Sequence, residues 1–253
     1  MTIIAHATDL TGDDRSAFIH ASALAAASAA RLVSVHGNAP ADQAERLPDV
    51  APLAARWGRA ITHERRCHEC CDDVTDTLLD ALTQLQPQLV VTGTHARHGL
   101  AAIMRGSVSM AVARNLTVPT LVIPNQGRPF VDDTTGAIVL ERVLLPAGDP
   151  AELAAGLAAT RALAALIGAA PVAVTVLHVG DSPLTVEAGV TLRRADGDLE
   201  RAIAAAVRSI DPCLVVMPSH GHDGVLDALL GSHTDHVVRD AGCPVLVVPV
   251  ARG

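Results

Sequence analysis

Residues 87–124 read PQLVVTGTHARHGLAAIMRGSVSMAVARNLTVPTLVIP, and residues 212–249 read PCLVVMPSHGHDGVLDALLGSHTDHVVRDAGCPVLVVP. The two stretches align without a gap at an offset of 125 residues. Identical residues at matched positions include Pro87/Pro212, His95/His220, Gly99/Gly224, Gly106/Gly231, Ser107/Ser232, Arg114/Arg239 and Pro119/Pro244. Agreement over so long a stretch predicts that the chain holds two copies of one structural unit.

Both copies present the same order of elements. A short apolar run, LVV, is followed by a polar loop that contains glycine, and then by an amphipathic helix that begins near Ser107 or Ser232. A second apolar run follows Pro119 or Pro244. Short apolar runs separated by helices indicate buried parallel strands joined by helical crossovers.

Upstream, each copy begins with one strand, at 3–8 or 142–147, and has a second strand that ends in His36 or His178. We therefore predict an α/β protein with two tandem, doubly wound domains, each built on a five-stranded parallel sheet. The predicted boundaries are 1–125 for the first domain, 126–138 for a linker and 139–253 for the second domain.

The composition excludes several classes of function. The formal net charge is −8 and aromatic residues make up 1% of the chain, which argues against a nucleic-acid-binding surface. The sequence has no apolar run long enough to span a membrane, and its first residues lack the positive charge of a signal peptide. We expect a soluble cytoplasmic protein without membrane or nucleic-acid partners.

The loop after LVV is the predicted ligand site. In a doubly wound sheet, ligands bind at the carboxyl ends of the strands, where the strand order reverses. A helix begins just after each loop, at Gly106-Ser107 and at Gly231-Ser232. Free backbone N–H groups and the helix dipole at such a terminus favour an anion such as a phosphate.

The residues of these loops resemble a known family. GTHARHGLAAIMRGS at 93–107 and PSHGHDGVLDALLGS at 218–232 resemble the universal stress protein signature: glycine, two residues, glycine, nine residues, then Gly-Ser or Gly-Thr. ATDLT at 7–11 resembles the end of that family's first strand, where an aspartate touches the nucleotide. The resemblance implies a tandem universal stress protein with Rossmann-like, adenine nucleotide alpha-hydrolase-like domains. It also implies a non-enzymatic stress-response module that binds a small ligand, such as ATP or another adenine nucleotide.

The candidate nucleotide-binding residues come from both copies. They are Asp9, Gly93, His95, Gly106 and Ser107 in the first half and Gly221, Gly231 and Ser232 in the second half. Each half departs from the family pattern. Ala96 replaces the second glycine of the first half, whereas Pro218 replaces the first glycine of the second half and Gly148 stands in place of the aspartate.

A cysteine cluster distinguishes the first half from the second. Residues 63–73 read HERRCHECCDD, between a predicted third strand at about 59–64 and a predicted helix that begins at Asp72-Asp73. Cys67 and Cys70 have the spacing of half a zinc site, which Cys71 or His68 would complete. Because the first half is about 14 residues longer between its first strand and LVV, we place the cluster in this extra segment.

Three readings of the cluster remain open: a zinc site, a thiol redox switch and inert packing. The main functional hypothesis is ligand sensing by the loops. The alternative is a metal-responsive or redox-responsive stress protein, and the histidines His220, His222, His233 and His236 offer a further candidate metal site. An enzyme has little support, because no nucleophile–base constellation stands out and the chain has no lysine for a phosphate-binding loop.

The last strand of each copy predicts how the halves are arranged. Members of the family often dimerise through this strand. We expect VPTLVIP and CPVLVVP to pair within one chain and form a pseudo-dimer, which leaves further homodimerisation open.

Overall fold

The computed structural model describes residues 1–8, 10, 14–70, 73–94, 108–125, 127–169, 171–220 and 241–250. Within them, ten strands form one sheet. The strands are β1 Ile3–Ala7, β2 Arg31–His36, β3 Thr62–Cys67, β4 Leu89–Thr94, β5 Thr120–Pro124, β6 Arg142–Pro146, β7 Ala173–Val179, β8 Thr191–Ala195, β9 Leu214–Ser219 and β10 Val245–Pro249. The helices are α1 Arg15–Ser28, a 3₁₀ helix Ala41–Arg46, α2 Ala51–Trp57, α3 Val74–Leu85, α4 Val108–Asn115, α5 Pro150–Leu166 and α6 Leu199–Ile210.

The strand order reproduces the predicted repeat. It runs β3-β2-β1-β4-β5-β10-β9-β6-β7-β8, so each half is a five-stranded, doubly wound unit. Pairing is parallel inside each half, and β5 pairs with β10 in antiparallel orientation, with Leu121 opposite Leu246. The predicted parallel α/β architecture is confirmed. The predicted pairing of VPTLVIP with CPVLVVP is also observed, and it makes one continuous sheet of the two halves.

Alternation along the buried strands supplies a core on both faces of the sheet. Ile4 and Leu121 belong to the apolar cluster that includes residues of α1, α2 and α5. Their neighbours Ala5 and Val122 belong to clusters that include residues of α3, or of α4 and α6. Successive side chains of a strand point to opposite faces of the sheet. These near-continuous apolar runs are therefore buried on both faces.

The third strand lies later in the chain than predicted. It spans Thr62–Cys67 rather than about 59–64, and its last residue pairs with His36. Because β3 is an edge strand that carries Glu64, Arg65 and Arg66, its apolar signal is weak. The position of β3 is set by its pairing register with β2, and this register cannot be read from the sequence.

The extra residues of the first half also lie elsewhere than predicted. Most of them connect β2 to β3, where they form the 3₁₀ helix Ala41–Arg46 and α2. The corresponding connection from β7 to β8 is much shorter, at residues 180–190. Most of the cysteine cluster therefore follows the inserted segment, and Cys67 ends β3.

The segment predicted as a linker packs against the first half. Phe130 and Val131 are buried, and Trp57 Nε1 donates a hydrogen bond to the carbonyl oxygen of Asp133 at 3.0 Å. Gly136 has φ +67°, and a Cβ there would lie 2.6 Å from the Trp57 ring. The connection between the halves is thus part of the core rather than a free tether. In the part of the chain that the structure describes, no helix is long and apolar enough to cross a bilayer.

Candidate functional site

The carboxyl ends of β1 and β4 form the predicted switch point of the first half. The two strands are direct neighbours, with Ala7 opposite Thr92, and β2 lies on the other side of β1. The start of α4 is fixed to this corner: Ser109 Oγ donates to the carbonyl oxygen of Gly93 at 2.6 Å, and Thr92 Oγ1 donates to Ser109 Oγ at 3.1 Å. The first turn of α4 therefore lies beside the end of β4.

Close packing at the end of β4 requires a glycine at position 93. A Cβ at this position would lie 2.6 Å from Asp14 Oδ1 and 3.6 Å from Ala17 Cβ. The glycine therefore lets the end of β4 approach the beginning of α1, and the corner closes around Asp14.

Most of the predicted nucleotide-binding residues lie outside the described residues. These are Asp9, His95, Gly106, Ser107, Gly221, Gly231 and Ser232. The other loop histidines, His98, His222, His233 and His236, and Ala96 also lie outside them. Among the predicted nucleotide-binding positions, only Gly93 is described, and it lies at the expected corner.

The equivalent corner of the second half is filled by its own side chains. Asp149 Oδ1 accepts hydrogen bonds from the N–H groups of Ala151 and Glu152 and so caps α5. Glu152 Oε2 accepts from the Gly148 N–H at 2.6 Å, and Glu152 Oε1 lies 3.1 Å from His220 Nε2. The ligand atoms of Asp149, Glu152 and His220 come within 4.8 Å of one another, and capping accounts for two of the three residues.

A histidine at the end of the second strand makes the same hydrogen bond in both halves. His36 Nδ1 donates to the carbonyl oxygen of Thr8 at 2.8 Å, and His178 Nδ1 donates to that of Ala147 at 2.9 Å. These bonds tie the ends of neighbouring strands together at the carboxyl edge of the sheet in each half.

A chain of polar side chains, three buried and one half-buried, runs beneath the first-half corner. Asp14 Oδ2 lies 3.0 Å from His6 Nε2, His6 Nδ1 lies 3.3 Å from Ser34 Oγ, and Ser34 Oγ lies 2.9 Å from His63 Nε2. His6 and Ser34 are 0% exposed, and Asp14 is 7% exposed. Burial lowers the pKa of His63 to about 4, with further lowering by the charges of His6 and Arg65.

The second half has apolar residues where the first half has this chain. Strand register matches His6 with Leu145 and Ser34 with Val176, because each pair of residues is directly opposed in its own half. By the same register His63 corresponds to Val190, and by its spacing from the first strand Asp14 corresponds to Leu153. The polar chain is therefore a specific addition to the first half.

These four residues are not among the candidate site residues predicted from the sequence. A signal was present, since His6 and Ser34 are polar residues at inward positions of the apolar strands IIAHA and RLVSVH. The contacts among these residues depend on how β1, β2 and β3 align with one another, and a local sequence pattern does not give that alignment. The order aspartate, histidine, serine is also that of a hydrolytic triad, but His6 and Ser34 are fully buried, so no substrate reaches them in this structure.

A cavity of about 400 Å³ opens beside Asp14. Its walls come from the end of β1, the first turns of α1 and the inserted segment between β2 and β3. Phe18 lines it and also contacts both histidines of the polar chain, with ring centroids 5.4 Å from His6 and 5.9 Å from His63. Phe18 therefore lies between the cavity and the two histidines, while Asp14 both lines the cavity and contacts His6.

The described members of the cysteine cluster do not converge on one point. Cys67 is 6% exposed and packs with Ala39 and Leu47, and burial raises the pKa of its thiol. His68 is held by backbone bonds beside β2, and Cys70 is a free thiol. Among the described residues, Cys67, His68 and Cys70 do not form a three-ligand group, and Cys71 lies outside them.

The remaining two cysteines occupy positions consistent with packing. Cys243 is 0% exposed, and burial raises its thiol pKa to about 12. Cys213 is half-buried and its Sγ donates to the carbonyl oxygen of Arg142 at 3.0 Å.

Comparisons with known proteins agree with this architecture. The model of the universal stress protein family matches residues 1–124 and 185–249. A universal stress protein from Archaeoglobus fulgidus DSM 4304 superposes with a TM-score of 0.73 at 18% identity, covering 98% of this chain and 96% of that one. A functionally unknown protein from Pseudomonas aeruginosa PAO1 superposes with a TM-score of 0.70 at 14% identity, covering 99% and 93%. These likenesses show the fold, and no curated protein matches the chain.

Proposed function

Because the chain belongs to the universal stress protein family, we propose that it is a non-enzymatic module that senses a small ligand, and that its first half binds an adenine nucleotide at the carboxyl ends of β1 and β4. The observation that carries this proposal is the corner itself. The strand order reverses between β1 and β4, and α4 begins against Gly93. Asp9 lies two residues after the last residue of β1, and residues 95–107 connect β4 to α4.

The second half is proposed not to bind nucleotide. Gly148 stands where the first half has Asp9, and the Glu152 carboxylate already accepts the Gly148 N–H that would otherwise face a ligand. A carboxylate in this position also repels a phosphate. The expected stoichiometry is therefore one nucleotide per chain.

Equilibrium dialysis with labelled ATP tests the proposal. We expect saturable binding of one ATP per chain and at least tenfold weaker binding in Asp9→Ala. Asp196→Ala is the matched control, because it removes an exposed carboxylate from the second half and is expected to bind as the wild type does. Absence of binding at millimolar ATP, in the wild type and in Ala96→Gly alike, would exclude the nucleotide.

Turnover is the second test. Among the described residues, Ser182 Oγ lies 3.2 Å from His178 Nε2, but both ring nitrogens of His178 already contact backbone carbonyl oxygens. Phosphate release from ATP should therefore match that of buffer. Release that scales with protein concentration and disappears in Asp9→Ala would show an enzyme instead.

A further inference from the structure

We propose that the cavity beside Asp14 is a second ligand site, adjoining the nucleotide corner, for a small organic anion with an apolar body. Its volume of about 400 Å³ falls within the range of small-molecule sites. Its lining includes Thr8 and Leu10, the chain neighbours of Asp9, so the cavity lies next to the predicted nucleotide site.

The lower part of the cavity is apolar. Leu10, Phe18, Ile19 and Leu53 line it, and Phe18, Ile19 and Leu53 are buried. Pro48 and Pro52 add rigid walls from the inserted segment. An apolar group of a ligand would therefore leave water on entering, which favours binding in proportion to the area it buries.

The rim of the cavity carries the guanidinium groups of Arg15, Arg46 and Arg56. Arg15 and Arg56 both approach Asp133, at 3.2 Å and 4.0 Å. Arg46 differs, because its described hydrogen bond goes to a neutral amide oxygen, Gln43 Oε1, at 2.6 Å. It is the rim cation best placed to pair with a ligand carboxylate or phosphate.

The two carboxylates that line the cavity are already engaged. Asp14 lies against His6 Nε2 at 3.0 Å, and Asp49 Oδ1 accepts from the Ala51 N–H at 3.0 Å. Both carboxylates therefore have contacts within the protein, and Arg46 is the rim cation left to attract a ligand anion.

Comparison of the two halves supports a ligand-binding role for the cavity. Two of the cavity walls, the 3₁₀ helix and α2, belong to the segment that the second half lacks, and Asp14 replaces its Leu153. The first half therefore contains an added wall and an added polar group at the same place, as expected for a binding site.

Calorimetric titration of the full chain with octanoate, 1-octanol and octylammonium tests this site. The three probes share an apolar body and differ in charge, so we expect octanoate to bind at one site and at least tenfold more tightly than the other two. Trp57 lies in α2 beside the cavity and is the only tryptophan, so its emission should report the same affinity. Arg46→Gln should weaken octanoate binding at least tenfold, whereas Arg208→Gln, which removes an exposed arginine of α6, should not.

Several outcomes would overturn the proposal. They are no heat with millimolar octanoate, equal affinity for the three probes, and equal affinity of the two arginine variants. Displacement of octanoate by ATP would show that the cavity belongs to the nucleotide site. Because octanoate and ATP are titrated separately, failure of one site is distinguishable from failure of the other.

Discussion

Ser34 is the residue that joins the two histidines beneath the first-half corner. It contacts His6 Nδ1 on one side and His63 Nε2 on the other, from the middle of β2. Removing its hydroxyl would leave a ring nitrogen of buried His6 and one of half-buried His63 without that partner, and a buried polar group without a partner is costly.

Ser34→Ala should therefore lower the free energy of unfolding by about 1–3 kcal/mol. Ser28→Ala is the matched control, because the Ser28 hydroxyl bonds only its own helix, at the Leu24 carbonyl oxygen, among the described contacts. The control should stay within about 0.5 kcal/mol of the wild type in urea denaturation. Equal effects of the two substitutions would contradict a structural role for the chain.

His20 predicts how stability depends on pH. It is 0% exposed, and burial lowers its pKa from 6.5 to about 4. Between these pH values the unfolded chain binds the proton and the folded chain does not, so stability falls as the pH falls. The loss from His20 reaches about 3 kcal/mol near pH 4.

The measurement is urea denaturation of the wild type and His20→Met between pH 7 and pH 4. Since the variant lacks this titration, its stability should fall less steeply over that range. The lowered pKa of His63 acts in the same direction and is present in both proteins. Parallel curves would show that His20 does not titrate as described.

At the scale of elements, the segment between β5 and β6 behaves as part of the first half. Gly136 allows it to lie against Trp57, with φ +67°. Gly58 has nearly the same φ, +62°, but a Cβ there meets nothing within 4 Å. Substitution of Gly58 therefore tests backbone strain alone, whereas substitution of Gly136 tests backbone strain together with steric contact.

Gly58→Ala should cost about 1–2 kcal/mol, since a left-handed backbone disfavours a side chain. Gly136→Ala should cost more, because its methyl group also displaces the Trp57 ring, and the Trp57 emission should shift only in this variant. Thermal unfolding followed by tryptophan fluorescence checks both. Equal losses of stability in the two variants would mean that the segment between β5 and β6 moves away from Trp57 without cost.

The elements differ in how well the sequence predicts them. The strands that carry LVV in each half, and the strands after Pro119 and Pro244, are buried on both faces, so their apolar runs locate them. The edge strand β3 is polar, and its place depends on pairing with β2. The 3₁₀ helix and α2 form the cavity only by packing against α1, so the sequence indicated the corner and missed the cavity.

The whole molecule is held together at the junction of β5 and β10. Leu121 and Leu246 are opposed there, at 0% and 1% exposure, and belong to a core cluster that also contains residues of α1 and α5. A shared sheet and a shared core predict that both halves unfold together.

Leu121→Asp should break this cooperativity. A buried carboxylate at the junction is expected to destabilise the chain by about 3 kcal/mol or more and to split one calorimetric transition into two. Val139→Asp is the control, because Val139 is 51% exposed and should change little. A single transition in Leu121→Asp would show that other contacts suffice to couple the halves.

The junction of β5 and β10 also has a consequence for how this molecule can vary. In an assembly of two identical chains, every substitution appears twice, so both copies must tolerate it. Here the two copies lie in one chain, and each change appears once. The first half could thus acquire the arginines that line the cavity and the histidines of the polar chain. The second half kept apolar residues at the matching positions, and its Glu152 carboxylate fills its own corner. Fusion of the copies permits a division of labour that a symmetric pair of identical chains does not.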